Sequence, residues 1–241
     1  ATQWRVGWMF GPEKICESVR DYVMQSVWSP AEKYQKAAAK LIRAGLSDQK
    51  GPLSDSYAAY FKDIQTEYRF RRDLTLLVFN GDQRYEELKM TVPGLTDSQV
   101  LVKRYKDLFE EYGLTLNGIE GFTTPIIPRA TMFFPVQAEN GVMDRIISGT
   151  IEKDLVFARI LYQETGICLL PPNELTLPVD DRYFRIEFGV PIRTLFKAFE
   201  RLQYFTRVWQ RSSDDEIQGL IDYALQDLPE YKIKNKLPLC A

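Results

Sequence analysis

The stretch YFRIEF at 183–188 and the run from Ile192 to Trp209 that follows it decide the fold class of this chain. In the first stretch, three apolar residues alternate with Arg185 and Glu187, which predicts a strand with one apolar face and one charged face. The second run repeats apolar residues at helical spacing and predicts a helix. A strand that leads directly into a helix indicates a chain of the α/β class.

Similar patterns on both sides of this pair predict further helices and strands. They are a strand at 4–10 ended by Gly11-Pro12, a helix behind that turn, a second helix beginning at Pro30, a long helix at 54–80 ended by Asn80-Gly81-Asp82, a helix spanning 100–109, a strand at 131–136, a helix at 152–164, a strand at 166–170 and a last helix at 214–225. A helix as long as the one at 54–80 commonly bridges two domains. The sequence therefore predicts an α/β arrangement, with an α+β domain in its carboxyl-terminal part.

The composition is that of a folded chain and excludes several classes of partner. The 241 residues are 45% hydrophobic and 13% aromatic, which is enough to build a substantial core. The 31 basic residues nearly balance the 33 acidic ones, and neither sign forms a long block. We therefore expect neither nucleic acid nor an anionic membrane as partner. The apolar runs are too short to span a bilayer, so the sequence predicts a soluble protein.

The cysteine and histidine content narrows the chemistry further. The three cysteines are widely spaced and form no CxxC pair, which argues against a disulfide framework and indicates a reducing, cytoplasmic compartment. Cys168, within an apolar stretch, is expected to be a buried small hydrophobic residue. The chain has no histidine, which removes the commonest general base and the commonest metal ligand, and we predict no metal site. Any chemistry must then use lysine, carboxylate, tyrosine or a cofactor.

Six blocks of sequence, in order along the chain, are similar to one known family. They are WRVGW at 4–8 with GPEKI at 11–15, Ser29-Pro30 with Gln35 and Ala37-Ala38-Ala39, Tyr68 with RRD at 71–73, TMFF at 131–134, GICLLPP at 166–172 and YFRIEFG at 183–189. In these blocks the chain resembles the class I/II aminotransferases of the fold type I pyridoxal-phosphate-dependent family, from just beyond their catalytic lysine to the end. The first block is the most specific one.

The resemblance implies part of the fold type I architecture. Residues 1–50 would be a remnant of the large cofactor-binding domain, residues 51–80 the interdomain helix, and residues 81–241 the small carboxyl-terminal domain that closes over substrate. The parent reaction would exchange an amino group between an amino acid and a 2-oxo acid in a cytoplasmic homodimer.

Two arginines fall at binding positions of the family. Arg5 lies where the family's arginine binds the phosphate of pyridoxal 5′-phosphate, and Arg185 lies where an arginine binds the substrate's α-carboxylate. A permanently charged guanidinium with several donors suits both anions. Residue type alone favours other interpretations, in which Arg5 is a surface strand residue flanked by core tryptophans and Arg185 is an exposed arginine in an ion pair. For Arg5 the surrounding sequence reverses that preference.

The lysine that forms the Schiff base with the cofactor has no counterpart in this chain. In family members this lysine lies a few residues before the tryptophan–arginine block. In this chain the corresponding position would fall before Ala1. Lys14 cannot replace it, because it follows the turn at the far end of the strand. We therefore expect the chain to be the carboxyl-terminal portion of such an enzyme, inactive by itself.

Other interpretations of the same sequence stay open. The chain could belong to a related carbon–sulfur lyase or amino-acid decarboxylase on the same scaffold, could need an amino-terminal half for activity, or could be a non-catalytic binding module. Arg71 and Arg72 are expected at a solvated helix edge or in an interdomain salt bridge. Tyr57, Tyr60 and Tyr68 are expected to be packing residues.

Overall fold

A computed structural model describes residues 12–15, 17, 36–37, 39–40, 43, 52–128, 132–146, 152–171 and 182–226. The chain divides into two compact units, 1–65 and 66–241. In the first unit, the described residues at 13–17 and 36–43 are helical, and the Ile15 N–H donates to the Pro12 carbonyl at 3.0 Å. The predicted strand at 4–10, which contains Arg5, lies outside the described residues.

Helices predominate in the described part of the chain. In order, the elements are α1 (Pro52–Thr91), α2 (Ser98–Arg104), α3 (Lys106–Glu111), β1 (Phe122–Thr123), β2 (Phe133–Ala138), α4 (Asn140–Met143), α5 (Lys153–Thr165), β3 (Tyr183–Glu187), α6 (Ile192–Arg211) and α7 (Asp214–Gln226). The strands form one antiparallel sheet in the order β1-β2-β3. Helices combined with a small antiparallel sheet place the chain in the α+β class. No helix in these ranges is both long and apolar enough to cross a membrane.

Several element predictions are confirmed, the predicted helix at 100–109 is two helices that meet at Tyr105, and one strand prediction is wrong. β3 and α5, α6 and α7 begin and end within two residues of the predicted bounds. The predicted strand at 166–170 is absent from the described structure of that segment, which makes only an isolated bridge between Leu170 and Arg185. Gly166 adopts a left-handed conformation, φ 70°, and ends α5, so the segment behind it begins as a helix cap.

The core lies between one face of the sheet and the helices. On that face of β2 and β3, Phe134, Val136 and Phe184 have no solvent exposure. Phe157 of α5 packs on Phe184 with ring centres 5.6 Å apart, and on Trp209 of α6 at 5.7 Å. Aromatic rings from strands and helices therefore meet in one cluster, and the opposite face of the sheet is left for other contacts.

Helix α1 continues past the point where the sequence predicts its end. Gly81 breaks the helical geometry with φ 78° and ψ 165°, but helix resumes and runs to Thr91. The backbone groups freed by the break are bonded elsewhere: Asp82 N–H donates to the Leu116 carbonyl at 2.9 Å, and Ile119 N–H donates to the Phe79 carbonyl at 3.0 Å. The loop at 116–119 thus provides hydrogen-bond partners for the backbone groups that the break leaves free. The predicted end of the helix at Gly81 is therefore only an interruption of it.

Tyr85 lies on α1 beyond this break, has no solvent exposure and donates its hydroxyl to the Thr96 carbonyl at 2.6 Å. Burial, reinforced by the charge of Asp73, raises the pKa of this phenol above its usual 10.0. Above about pH 10, the phenol ionises in the unfolded chain but stays protonated in the folded one, so stability should fall as pH rises further. Urea unfolding at pH 8 to 11 should show a shallower decline in Tyr85→Phe than in the parent chain. Equal declines in the two proteins would contradict this assignment.

Candidate functional site

Arg185 lies in the middle of β3, on the face of the sheet opposite the core. Phe184 and Ile186 are buried on the core side, whereas Arg185 is half-buried and Glu187 is exposed. The alternation predicted from the sequence is therefore confirmed. The guanidinium of Arg185 emerges from the open face of the sheet.

The strand register surrounds Arg185 with compact and aromatic neighbours. Pro135 of β2 lies directly opposite, and the backbone of Arg185 bonds Leu170 on its other side, at 3.0 and 3.2 Å. Since the backbone groups of Arg185 turn toward Leu170, Pro135 needs no N–H at this pair, which explains how a proline fits in the central strand. The Arg185 guanidinium carbon lies 4.4 Å from the centre of the Phe133 ring, well within cation–π distance.

Arg185 has no acidic partner within the described residues, unlike four other half-buried arginines. Arg71, Arg72, Arg145 and Arg182 each lie within 4.0 Å of a carboxylate, at 2.8, 2.7, 2.9 and 3.4 Å. Taking a cation partly out of water without an anion is costly. A half-buried guanidinium that is stacked on a ring but not neutralised is therefore suited to an anionic ligand.

Arg71 supports this face of the sheet from α1. Its guanidinium donates to the carbonyls of Val190 at 2.6 Å and Gly189 at 3.3 Å, just beyond the end of β3, and to Glu67 at 2.8 Å. These bonds tie α1 to the segment that joins β3 to α6. Arg71 is therefore a structural anchor for the strand that contains Arg185.

Asp73 organises a second buried network on α1. The carboxylate has no solvent exposure. It accepts from the Arg72 guanidinium at 2.8 Å and from both the backbone N–H and the hydroxyl of Thr96, at 2.9 and 2.7 Å. Asp73 therefore holds the segment before α2 against α1, and Arg72 is its charge partner. The expectation of a solvated helix edge for Arg72 is wrong, because the pair lies inside the fold.

The remaining sequence predictions have mixed outcomes. Arg5 lies outside the described residues. Tyr68 packs edge-on against Phe188 with ring centres 6.3 Å apart, so its assignment as a packing residue is confirmed. Tyr60 is 58% exposed and contacts Phe61, so it is not a core residue in the described structure. Cys168 is exposed, and the prediction of a buried thiol is wrong because its segment is not a buried strand.

Phe133 is the neighbour of Arg185 to which the sequence assigned no role. The block at 131–134 predicted only a strand. The role of Phe133 could have been recognised from its position in the strand. Because its neighbour Phe134 is buried, Phe133 is an aromatic residue on the open face. Its proximity to Arg185 depends on how β2 and β3 are aligned, which neither strand specifies alone.

Comparisons with protein families, with curated proteins and with solved structures give no match for this chain.

Proposed function

We propose that the chain is the carboxyl-terminal part of a pyridoxal-phosphate-dependent aminotransferase of fold type I, in which Arg185 binds the α-carboxylate of the amino acid and of the 2-oxo acid. One observation carries the proposal. Arg185 is half-buried on the open sheet face, is stacked on Phe133 at 4.4 Å, and lies beyond 4.0 Å from every carboxylate of the described ranges. The six sequence blocks between WRVGW at 4–8 and YFRIEFG at 183–189 support the same family.

The work of this chain in the reaction would be to bind and orient substrate. A guanidinium forms two parallel hydrogen bonds to a carboxylate, which fixes both the distance and the angle of the bound acid. Arg71 holds the end of β3 through the carbonyls of Gly189 and Val190. Arg185 is thereby presented from a rigid strand, which gives the precise placement that transfer chemistry requires.

Arg5 would bind the phosphate group of the cofactor, pyridoxal 5′-phosphate. When bound, pyridoxal phosphate supplies the carbonyl that takes up the amino group and the ring that withdraws electrons. The covalent lysine would come from outside this chain, so the chain alone would be inactive. A cytoplasmic homodimer that exchanges amino groups between an amino acid and a 2-oxo acid completes the proposal.

The carboxylate role of Arg185 can be tested on the 241-residue chain itself. Titration with 2-oxobutyrate should shift the Nε–H resonance of Arg185 in spectra of protein labelled with ¹⁵N-arginine. Replacing Arg185 by glutamine should weaken binding about 10- to 100-fold, because charge-assisted hydrogen bonds contribute about 1.5–3 kcal/mol.

Arg193→Gln is the matched control for this experiment. It removes the same charge from an exposed arginine that pairs with Glu111 at 2.6 Å. Binding should change less than about twofold in this variant, as expected for a screened surface charge. If the Arg185 and Arg193 variants bind 2-oxobutyrate equally well, Arg185 does not bind the substrate carboxylate and the proposed function fails.

A further inference from the structure

Phe133 and Arg185 are diagonal neighbours across the β2–β3 pair. In the register, Phe133 lies opposite Glu187 and Pro135 lies opposite Arg185. All four residues project from the open face, because they alternate with buried residues on both strands. Diagonal pairs in antiparallel sheets are within reach when one member is aromatic and the other is long. The register therefore brings the ring and the guanidinium together.

The two neighbours of Phe133 could otherwise neutralise each other. Glu187 follows Arg185 by two residues on the same strand face, so a carboxylate and a guanidinium stand side by side. The ring occupies the space beside the guanidinium, at 4.4 Å. The Glu187 carboxylate is turned toward Gly189 instead, where Oε1 lies 3.3 Å from the position that a Cβ on Gly189 would take. The guanidinium therefore stacks on the ring and does not pair with the adjacent acid.

Pro135 cannot take over the role of the ring. It lies directly opposite Arg185, but its saturated side chain has neither a charge nor a π face. An arginine has many rotamers, and ordering it on binding reduces affinity. A ring that already contacts the guanidinium, at 4.4 Å, lowers that cost.

We infer that Phe133 is a positioning residue for Arg185: the Phe133 ring keeps the guanidinium stacked against it, unpaired with Glu187 and open to a substrate carboxylate. The inference rests on the proposed function, since it concerns the same arginine. It adds a residue that acts on substrate only through Arg185.

The test compares replacements at position 133 in the 241-residue chain by the same 2-oxobutyrate titration. Phe133→Leu keeps an apolar side chain but loses the π face, and its dissociation constant should rise about fivefold. Phe133→Trp keeps a π face and should stay within about twofold of the parent chain. The guanidinium carbon of Arg185 lies over the Phe133 ring. The adjacent Nε–H proton should therefore move downfield in the leucine variant and not in the tryptophan variant.

A second substitution distinguishes positioning from a general loss of structure. Adding Glu187→Gln to Phe133→Leu removes the acid that the ring keeps away, and should restore at least half of the lost affinity on a logarithmic scale. A merely structural defect would not respond to the removal of a surface carboxylate. If Phe133→Leu does not melt cooperatively, Phe133→Met replaces it in the same comparison.

Three results would overturn the inference. They are unchanged affinity in Phe133→Leu, an equal loss in the leucine and tryptophan variants, and no recovery on adding Glu187→Gln. None of them affects the proposed function as long as Arg185→Gln still loses binding in the same assay. An unchanged affinity in Arg185→Gln would instead remove the proposed function, and the role of Phe133 with it.

Discussion

Replacing Asp73 by alanine is expected to destabilise the unit at 66–241 by about 3–5 kcal/mol. The carboxylate is fully buried and accepts hydrogen bonds from Arg72 and from two donors of Thr96. Its removal leaves a guanidinium that is only 17% exposed without its anion, and leaves the Thr96 donors without an acceptor. Breaking one side of a buried pair costs more than the pair itself contributes, because the remaining charge stays desolvated.

Two further variants show whether charge or hydrogen bonding dominates at this position. Asp73→Asn keeps an acceptor for Thr96 but loses the charge that faces Arg72, so it should lose less stability than alanine. Glu87→Ala removes an exposed carboxylate from the same helix, within the unit at 66–241, and should change stability by less than about 0.5 kcal/mol. Urea denaturation followed by circular dichroism gives the free energies, provided the m-values agree. A loss below about 1 kcal/mol in Asp73→Ala would show that the network does not stabilise the fold.

Gly81→Ala should cost about 3 kcal/mol, for two additive reasons. An alanine at φ 78° and ψ 165° would lie in a backbone region that is almost restricted to glycine, which costs about 1–3 kcal/mol. That Cβ would also lie 2.9 Å from three backbone atoms of residues 116–118, which cannot rotate away as a side chain would. Overpacking against a fixed backbone typically adds about 1–3 kcal/mol.

Gly94 provides the matched control. It also has positive φ, 84°, but a Cβ there would meet nothing within 4 Å. Gly94→Ala should therefore lose only the strain part, about 1–2 kcal/mol. The difference between the two variants in the same urea experiment measures the close approach of the loop to α1, together with any extra strain of the Gly81 backbone at ψ 165°. Equal losses would mean that the loop moves aside at little cost.

The parts of the fold that follow from local pattern could be predicted. Alternation predicted the bounds of β3 and the face on which Arg185 lies, and helical spacing predicted α6. Both follow from local sequence, because residues on the buried face recur every two positions in a strand and every three or four in a helix. The network around Asp73 was not predicted, since Thr96 lies 23 residues away and supplies both the bonds and the burial.

Gly81 and Cys168 show why the other predictions failed. Asn-Gly-Asp is a normal helix stop, but here a loop more than 30 residues further along the chain bonds the freed backbone groups, and the helix resumes. The apolar stretch that contains Cys168 has strand composition, yet one bridge at Leu170 is all the pairing it makes in the described structure. Non-local partners decided both outcomes.

At the candidate site, the sequence identified the arginine but not its neighbour. Arg185 was found from its position in a resembling block, and its orientation from alternation. The stacking on Phe133 depends on pairing Phe133 with Glu187. A shift of one residue would send Phe133 to the core face.

Trp209 of α6 is buried against α5, and this burial affects the fluorescence of the protein. The chain has four tryptophans, at positions 4, 8, 28 and 209, so residues 66–241 contain a single indole. That indole is 2% exposed and lies edge-on to Phe157. If phenylalanine replaced the tryptophans at positions 4, 8 and 28, the wavelength of tryptophan fluorescence would report only the solvent exposure of Trp209 in this aromatic cluster. Unfolding of the unit that contains Arg185 could then be followed independently of the rest of the chain.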